Sequence, residues 1–133
     1  MQDLDFLKKY YEKYGITKAA ELLGLDIFEL VDMLDLDFKT FVDLDFEEMK
    51  SDFMRGIKAI MMFPNGFGIS VVKSDFSYGG SQGYYEIAVL GKDGDLNYDT
   101  EITNDVVGYL DEDGVSEYMI KIQGLKPVND EKV

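Results

Sequence analysis

Residues 57–73 constrain the fold more than any other stretch of the sequence. Ile57-Lys58-Ala59-Ile60-Met61-Met62-Phe63 reads as a strand, Pro64-Asn65-Gly66 comes next, and Phe67 to Lys73 reads as a second strand. Pro and Asn suit the centre of a type I turn, and the next glycine can take a positive φ as a bulge. The segment therefore predicts a β-hairpin, with Phe67, Ile69 and Val71 on one face of its second arm.

The chain beyond Lys73 is expected to extend that hairpin. Ser74 to Gly83 is rich in Gly and Ser and reads as a loop. Tyr84 to Leu90 reads as a third strand, with Tyr85, Ile87 and Val89 on one side and Glu86 on the other. Gly91-Lys92-Asp93-Gly94-Asp95 turns the chain into a short fourth strand near Leu96–Tyr98. Thr103 is placed to cap a helix of Val106, Val107 and Leu110. A last helix after Asp113-Gly114 carries Val115, Tyr118, Met119 and Ile122, and the polar tail 126–133 is expected to fray.

Ahead of the hairpin the periodicity is helical. Leu4, Leu7, Tyr11 and Tyr14 recur at three- and four-residue steps, with Lys8, Lys9 and Lys13 on other faces. Gly15 ends that helix, Thr17 caps a second running to Leu23, and Asp26 starts a third with Ile27, Leu30, Val31 and Leu34. The fold class expected is α+β: an N-terminal three-helix, helix-turn-helix-like module, then a four-stranded antiparallel sheet packed by C-terminal helices. The divisions are 1–35 for the helical module, 36–56 for an acidic linker or helix, 57–125 for the α+β domain and 126–133 for the tail.

Composition removes several chemistries. The 133 residues contain no Cys and no His. Thiolate nucleophiles, disulfides, zinc-thiolate sites, imidazole bases and Ser-His-Asp triads are therefore excluded. No pair among the 27 acidic side chains is singled out for acid/base work, so no catalytic residue and no cofactor is expected. No apolar run reaches the roughly 20 residues of a membrane span. The acidic opening Met1-Gln2-Asp3-Leu4-Asp5 is unlike a signal peptide, so a cytoplasmic location is expected.

The net charge of −14 is locally concentrated. Residues 26–53 hold ten carboxylates against Lys39 and Lys50, a balance of −8. Asp-Leu-Asp-Phe occurs at 3–6, 35–38 and 43–46, as chance in an Asp- and Phe-rich linker or as an acidic-aromatic docking segment. Phe38, Val42, Phe46, Met49 and Phe53 also fit one helical stripe.

The most specific local pattern spans residues 16–34, with Ala20 where two helices cross, Gly24 in the turn, and Leu23, Leu30 and Met33 in the angle between them. A DNA reader needs cationic and amide side chains there. This helix presents Asp26, Glu29 and Asp32 instead, with Asp35 just beyond. A basic protein surface suits it better than nucleic acid. The candidate protein-binding carboxylates are Asp26, Glu29, Asp32, Asp35, Asp37, Asp43 and Asp45.

Two acidic turns, 93–95 and 111–114, fail as calcium loops. With Gly94 or Gly114 at the sixth position, the first and twelfth positions are Val89 and Thr100, or Tyr109 and Ile120. They read as turn and capping residues, and no metal is expected. The loop at Tyr78, Gly79 and Gly80 could offer backbone N–H groups to an anion, but it lacks the P-loop ending and the Rossmann spacing. A flexible hairpin connection is the simpler reading.

Three stretches carry a family resemblance: FPNGFGISVV at 63–72, Tyr78-Gly79-Gly80 followed by GYYEIAVL at 83–90, and YDTEITNDVVGYLDEDGV at 98–115. In these, residues from about 44 to 125 resemble a family of small proteins encoded by tailed bacteriophages, a family with no assigned activity. The resemblance implies a viral origin and a site of action in the host cytoplasm. The expectation is thus an accessory protein that binds a host or phage protein with a basic surface, for instance as an acidic nucleic-acid mimic inhibiting a defence or transcription protein. A DNA-binding transcriptional regulator and a minor virion or assembly protein are the alternatives.

Overall fold

The computed structural model describes residues 4–50, 54–91, 94, 96, 102 and 106–125. Pro64 and Asn65 turn the chain where expected, and strands form on both sides: β2 (Arg55–Met62) and β3 (Gly68–Ser74). Phe63 N–H donates to Phe67 O at 2.7 Å and Gly66 N–H to Phe63 O at 3.0 Å. Gly66 takes φ 92°, which a side chain would resist. Ala59, Ile69 and Val71 are buried on one face of the hairpin. The third predicted strand is β4 (Tyr85–Leu90), which pairs antiparallel with β3 and buries Tyr85, Ile87 and Val89 beside them.

Among the described residues two further strands extend this to an antiparallel sheet of five in the order β1-β2-β3-β4-β5, where four strands were expected. β1 (Glu47–Lys50) arises in the acidic segment in place of the helical stripe, and it pairs Glu47 with Lys58 and Lys50 with Arg55. Val42 is 86% exposed and Phe41–Asp43 is a single 3-10 turn, so no helix joins Phe38 to Met49. Phe53 lies outside the described residues. β5 (Val107–Leu110) replaces the expected helix of Val106, Val107 and Leu110, placing Val107 opposite Ile87 and Leu110 opposite Tyr85. The β-branched pair Val106-Val107 favours that extended state once an edge of β4 is open to it. Of the strand expected at 96–98, only the bridge between Leu90 and Leu96 falls within the described residues, and Thr103 lies outside them.

The N-terminal module holds α1 (Leu4–Leu23) and α2 (Ile27–Met33). α1 is broken at Gly15 (φ 82°, ψ 171°), where the first helix was expected to end, so with α2 the module has three helical segments, two of them joined within α1. Gly24 (φ 67°) closes α1, as Gly24 N–H donates to Glu21 O and Leu25 N–H to Ala20 O at 2.9 Å. Leu7, Ile16, Ala19, Ala20, Ile27 and Leu30 form the apolar centre of this module.

One helix serves two cores. α3 (Glu112–Gln123) lays Val115, Met119 and Ile122 on the sheet, while Ile120 joins the cluster of the helical module. The approach is close at its end: a Cβ on Gly124 would stand 2.6 Å from Ile16 Cγ2. Gln123 clamps the chain between the cores, since Lys39 N–H donates to its Oε1 and its Nε2 donates to Lys39 O, both at 2.8 Å. Phe41 N–H donates to the buried Ser116 Oγ at 3.0 Å.

That clamped segment carries two of the three Asp-Leu-Asp-Phe copies. Leu36 and Phe38 pack on the helical cluster, Leu44 and Phe46 on the sheet cluster, and Asp35, Asp37, Asp43 and Asp45 face solvent. Alternation of period two explains this, because an extended chain sends neighbouring side chains to opposite sides. In the first copy, Leu4 and Phe6 are exposed at the start of α1.

Candidate functional site

The candidate carboxylates divide by what they hold. Asp26 caps α2: its Oδ1 accepts from Phe28 N–H at 2.7 Å, and Glu29 Oε1 accepts from Asp26 N–H at 3.2 Å. The two form a capping box that satisfies orphan donors at the helix start. Asp43 Oδ2 accepts from Thr40 N–H at 2.9 Å in the 3-10 turn. Replacing Asp26 with alanine is expected to lower stability by about 1 kcal/mol, measured as a shift of the urea midpoint at constant slope.

Asp32, Asp35, Asp37 and Asp45 are exposed, and none of their carboxylates forms a hydrogen bond or ion pair with another described residue. Asp32 and Asp35 sit at the C-terminal end of α2, where the helix dipole disfavours negative charge and no basic residue occupies the last turn. Asp35 also takes φ 54°. Its N–H donates to Asp32 O at 3.1 Å and Leu36 N–H donates to Val31 O at 3.0 Å, the closure that ordinarily places glycine or asparagine here.

The helix-turn-helix elements fold in part as the pattern required. Ala20 and Leu30 are buried, Leu23 is half-buried, and Gly24 makes the turn. Met33 does not fill the angle between helices; it is exposed, because α2 ends at that residue. The first turn of α2 borders a shallow cleft of about 220 Å³ shared with Glu117 and Lys121 of α3.

The glycine-rich loop is ordered by its own hydrogen bonds. Ser77, Gly80, Gln82, Gly83 and Tyr84 each donate a backbone N–H to a carbonyl within the loop. Tyr78 N–H donates to Glu86 Oε1 at 2.8 Å, so these donors are not turned toward an anion. Tyr78 O accepts from Tyr109 N–H at 3.1 Å, which ties the loop to β5.

Around Gly79 lies a cluster of aromatic rings that sequence reasoning missed. Tyr78 and Tyr109 are each 59% exposed and Tyr84 is 41% exposed, with the rings of Tyr84 and Tyr109 6.3 Å apart. Gly79 (φ 84°) is buried among them, and a Cβ there would stand 2.9 Å from Tyr109 Cδ1 and 3.0 Å from Tyr84 Cβ. Tyr109 itself takes φ 58°, a left-handed conformation that is rare for an aromatic residue. Adjacent tyrosines at 84 and 85 were the available signal, since neighbours in a strand point to opposite faces.

Of the two acidic turns, Asp93 and Asp95 lie outside the described residues. Asp111 is the N-cap of α3, its Oδ1 accepting from Gly114 N–H at 2.7 Å. No cluster of three acidic side chains suited to a metal ion occurs among the described residues. No helix among them is long and apolar enough to cross a membrane. Compared with known proteins, the chain matches no family model, no curated protein and no solved structure.

Proposed function

We propose that this chain is a phage accessory protein that binds a basic surface of a host or phage protein, with the carboxylates at the C-terminal end of α2 standing in for nucleic-acid phosphates. The observation that carries this reading is the cost of Asp32 and Asp35. Both oppose the helix dipole, Asp35 occupies a glycine position, and neither carboxylate holds another described residue. Acid retained where it destabilises its own helix is accounted for by an external cation. The surrounding field, from a net charge of −14, steers basic partners toward it and phosphates away.

The triple variant Asp32→Asn, Asp35→Asn, Asp37→Asn separates binding from folding. Asparagine suits the left-handed position and removes charge from the helix end, so the variant is expected to gain about 1 kcal/mol of stability. Affinity capture from a bacterial host lysate at low salt is expected to retain a nucleic-acid-binding protein on the native chain and to lose it on the variant. Added duplex DNA should displace it. Capture indifferent to salt, to DNA and to the three substitutions would reject the proposal.

A further inference from the structure

The turn between β2 and β3 holds a chemically labile amide. Asparagine occurs in the sequence at 65, 97, 104 and 129, and Asn65 alone is followed by glycine. That order favours deamidation, because no side chain shields the glycine nitrogen from the neighbouring amide carbon. When the turn is open, Gly66 N loses its proton and attacks Asn65 Cγ. The Cγ–Nδ2 bond breaks and ammonia leaves with a proton from solvent, closing a five-membered succinimide. Water then adds to either of its carbonyls, leaving aspartate or isoaspartate at position 65.

The folded turn restrains every participant in that reaction. Gly66 N–H donates to Phe63 O at 3.0 Å, which retains the proton that the nucleophile must lose. Asn65 Oδ1 accepts from Phe67 N–H at 3.1 Å and fixes the plane of the amide. The leaving nitrogen, Nδ2, lies 2.8 Å from Ile122 O, 3.1 Å from Leu125 O and 3.3 Å from Gln123 O. This last restraint exists only while the end of α3 is seated on the turn.

We infer that Asn65 is a deamidation site gated by α3, stable while the end of that helix is seated and converted when it lifts. Conversion runs one way. A carboxylate at position 65 faces carbonyl oxygens at the negative end of the helix dipole, so the clamp does not re-form. Isoaspartate also lengthens the turn backbone by one methylene. The same end of α3 meets the helical module, where a Cβ on Gly124 would stand 2.6 Å from Ile16 Cγ2. The converted fraction therefore counts the time the chain has spent with α3 lifted. The α2 carboxylates take no part, so either proposal can fail alone.

The full chain and a peptide of residues 61–69 are incubated at neutral pH, and peptide mass spectrometry follows the amide-to-acid mass gain at residue 65. Conversion in the folded chain is expected to run about a hundredfold slower than in the peptide. Urea above the unfolding midpoint should remove that difference. Ile122→Ala loosens the end of α3 but keeps its carbonyl, and it is expected to speed conversion about tenfold. Asp26→Ala, whose effect lies in α2, should leave the rate unchanged. Aspartate and isoaspartate should both form, and chain converted in urea and then refolded should show a lowered urea midpoint. Equal rates in folded chain and peptide, no response to Ile122→Ala, or an equal response to Asp26→Ala would overturn the inference. So would aspartate without isoaspartate, or an unchanged midpoint after conversion.

Discussion

Replacing Ile120 with alanine is expected to cost about 3 kcal/mol and to open the helical module ahead of the sheet. Ile120 is 1% exposed and is the member of the helical cluster supplied by α3. The rest of that cluster comes from α1 and α2, short helical arms whose own buried surface is too small to hold them folded. Removing three carbons at the junction leaves a cavity that the module cannot fill without drawing away from α3. Val115, Met119 and Ile122 stay seated on the sheet in the variant, so β2, β3 and β4 keep most of their protection. Native-state hydrogen exchange should show protection falling most in residues 16–34. An equal loss across the strands would mean that the two clusters open as one unit.

The legible parts of this fold were those decided locally. The hairpin at 57–73 rests on turn chemistry that Pro64, Asn65 and Gly66 carry themselves, and the structure places the turn there. Gly15 and Gly24 likewise marked real breaks, both taking positive φ. β1 and β5 were illegible for the opposite reason. Glu47–Lys50 and Val107–Leu110 are strands because β2 and β4 offer open edges to them, and a four-residue run carries little period of its own. The helical spacing of Phe38, Val42 and Phe46 was outweighed by the period-two Asp-Leu-Asp-Phe repeats, whose Leu and Phe reach two different cores.

The acidic surface was legible as charge but not as structure. By residue type and spacing, Asp26, Glu29 and Asp32 had equal standing. The capping box removes Asp26 and Glu29 from the freely available set, and the helix closure at Asp35 moves the weight of the site toward the C-terminal end of α2. The exposed ring cluster around Gly79 depends on Tyr109 adopting a left-handed conformation, which no propensity argument assigns to tyrosine.

Asn65 has a local role and a distant one, and its neighbours along the chain reveal only the first. Its Oδ1 accepts from Phe67 N–H at 3.1 Å within the turn that the sequence predicts. Its Nδ2 reaches the far end of α3, approaching the carbonyl oxygens of Ile122 at 2.8 Å, Leu125 at 3.1 Å and Gln123 at 3.3 Å. The β2–β3 turn thereby caps the helix that joins the two cores. Asn65→Ala is expected to cost about 2 kcal/mol, the penalty for stripping partners from partly buried carbonyls. Asn65→Asp keeps the acceptor for Phe67 but faces a carboxylate toward carbonyl oxygens at the negative end of the helix dipole, so it should cost about 3 kcal/mol or more at pH 7. The shape-conserving change is thus the worse one. The same repulsion holds the introduced carboxyl above its unfolded value, so as pH falls the folded state takes up the proton first. The stability gap between the Asp and Ala variants should therefore narrow from pH 7 toward pH 4.5 in paired urea titrations. A gap that stays constant or widens over that range would show that the turn does not hold α3 by its amide.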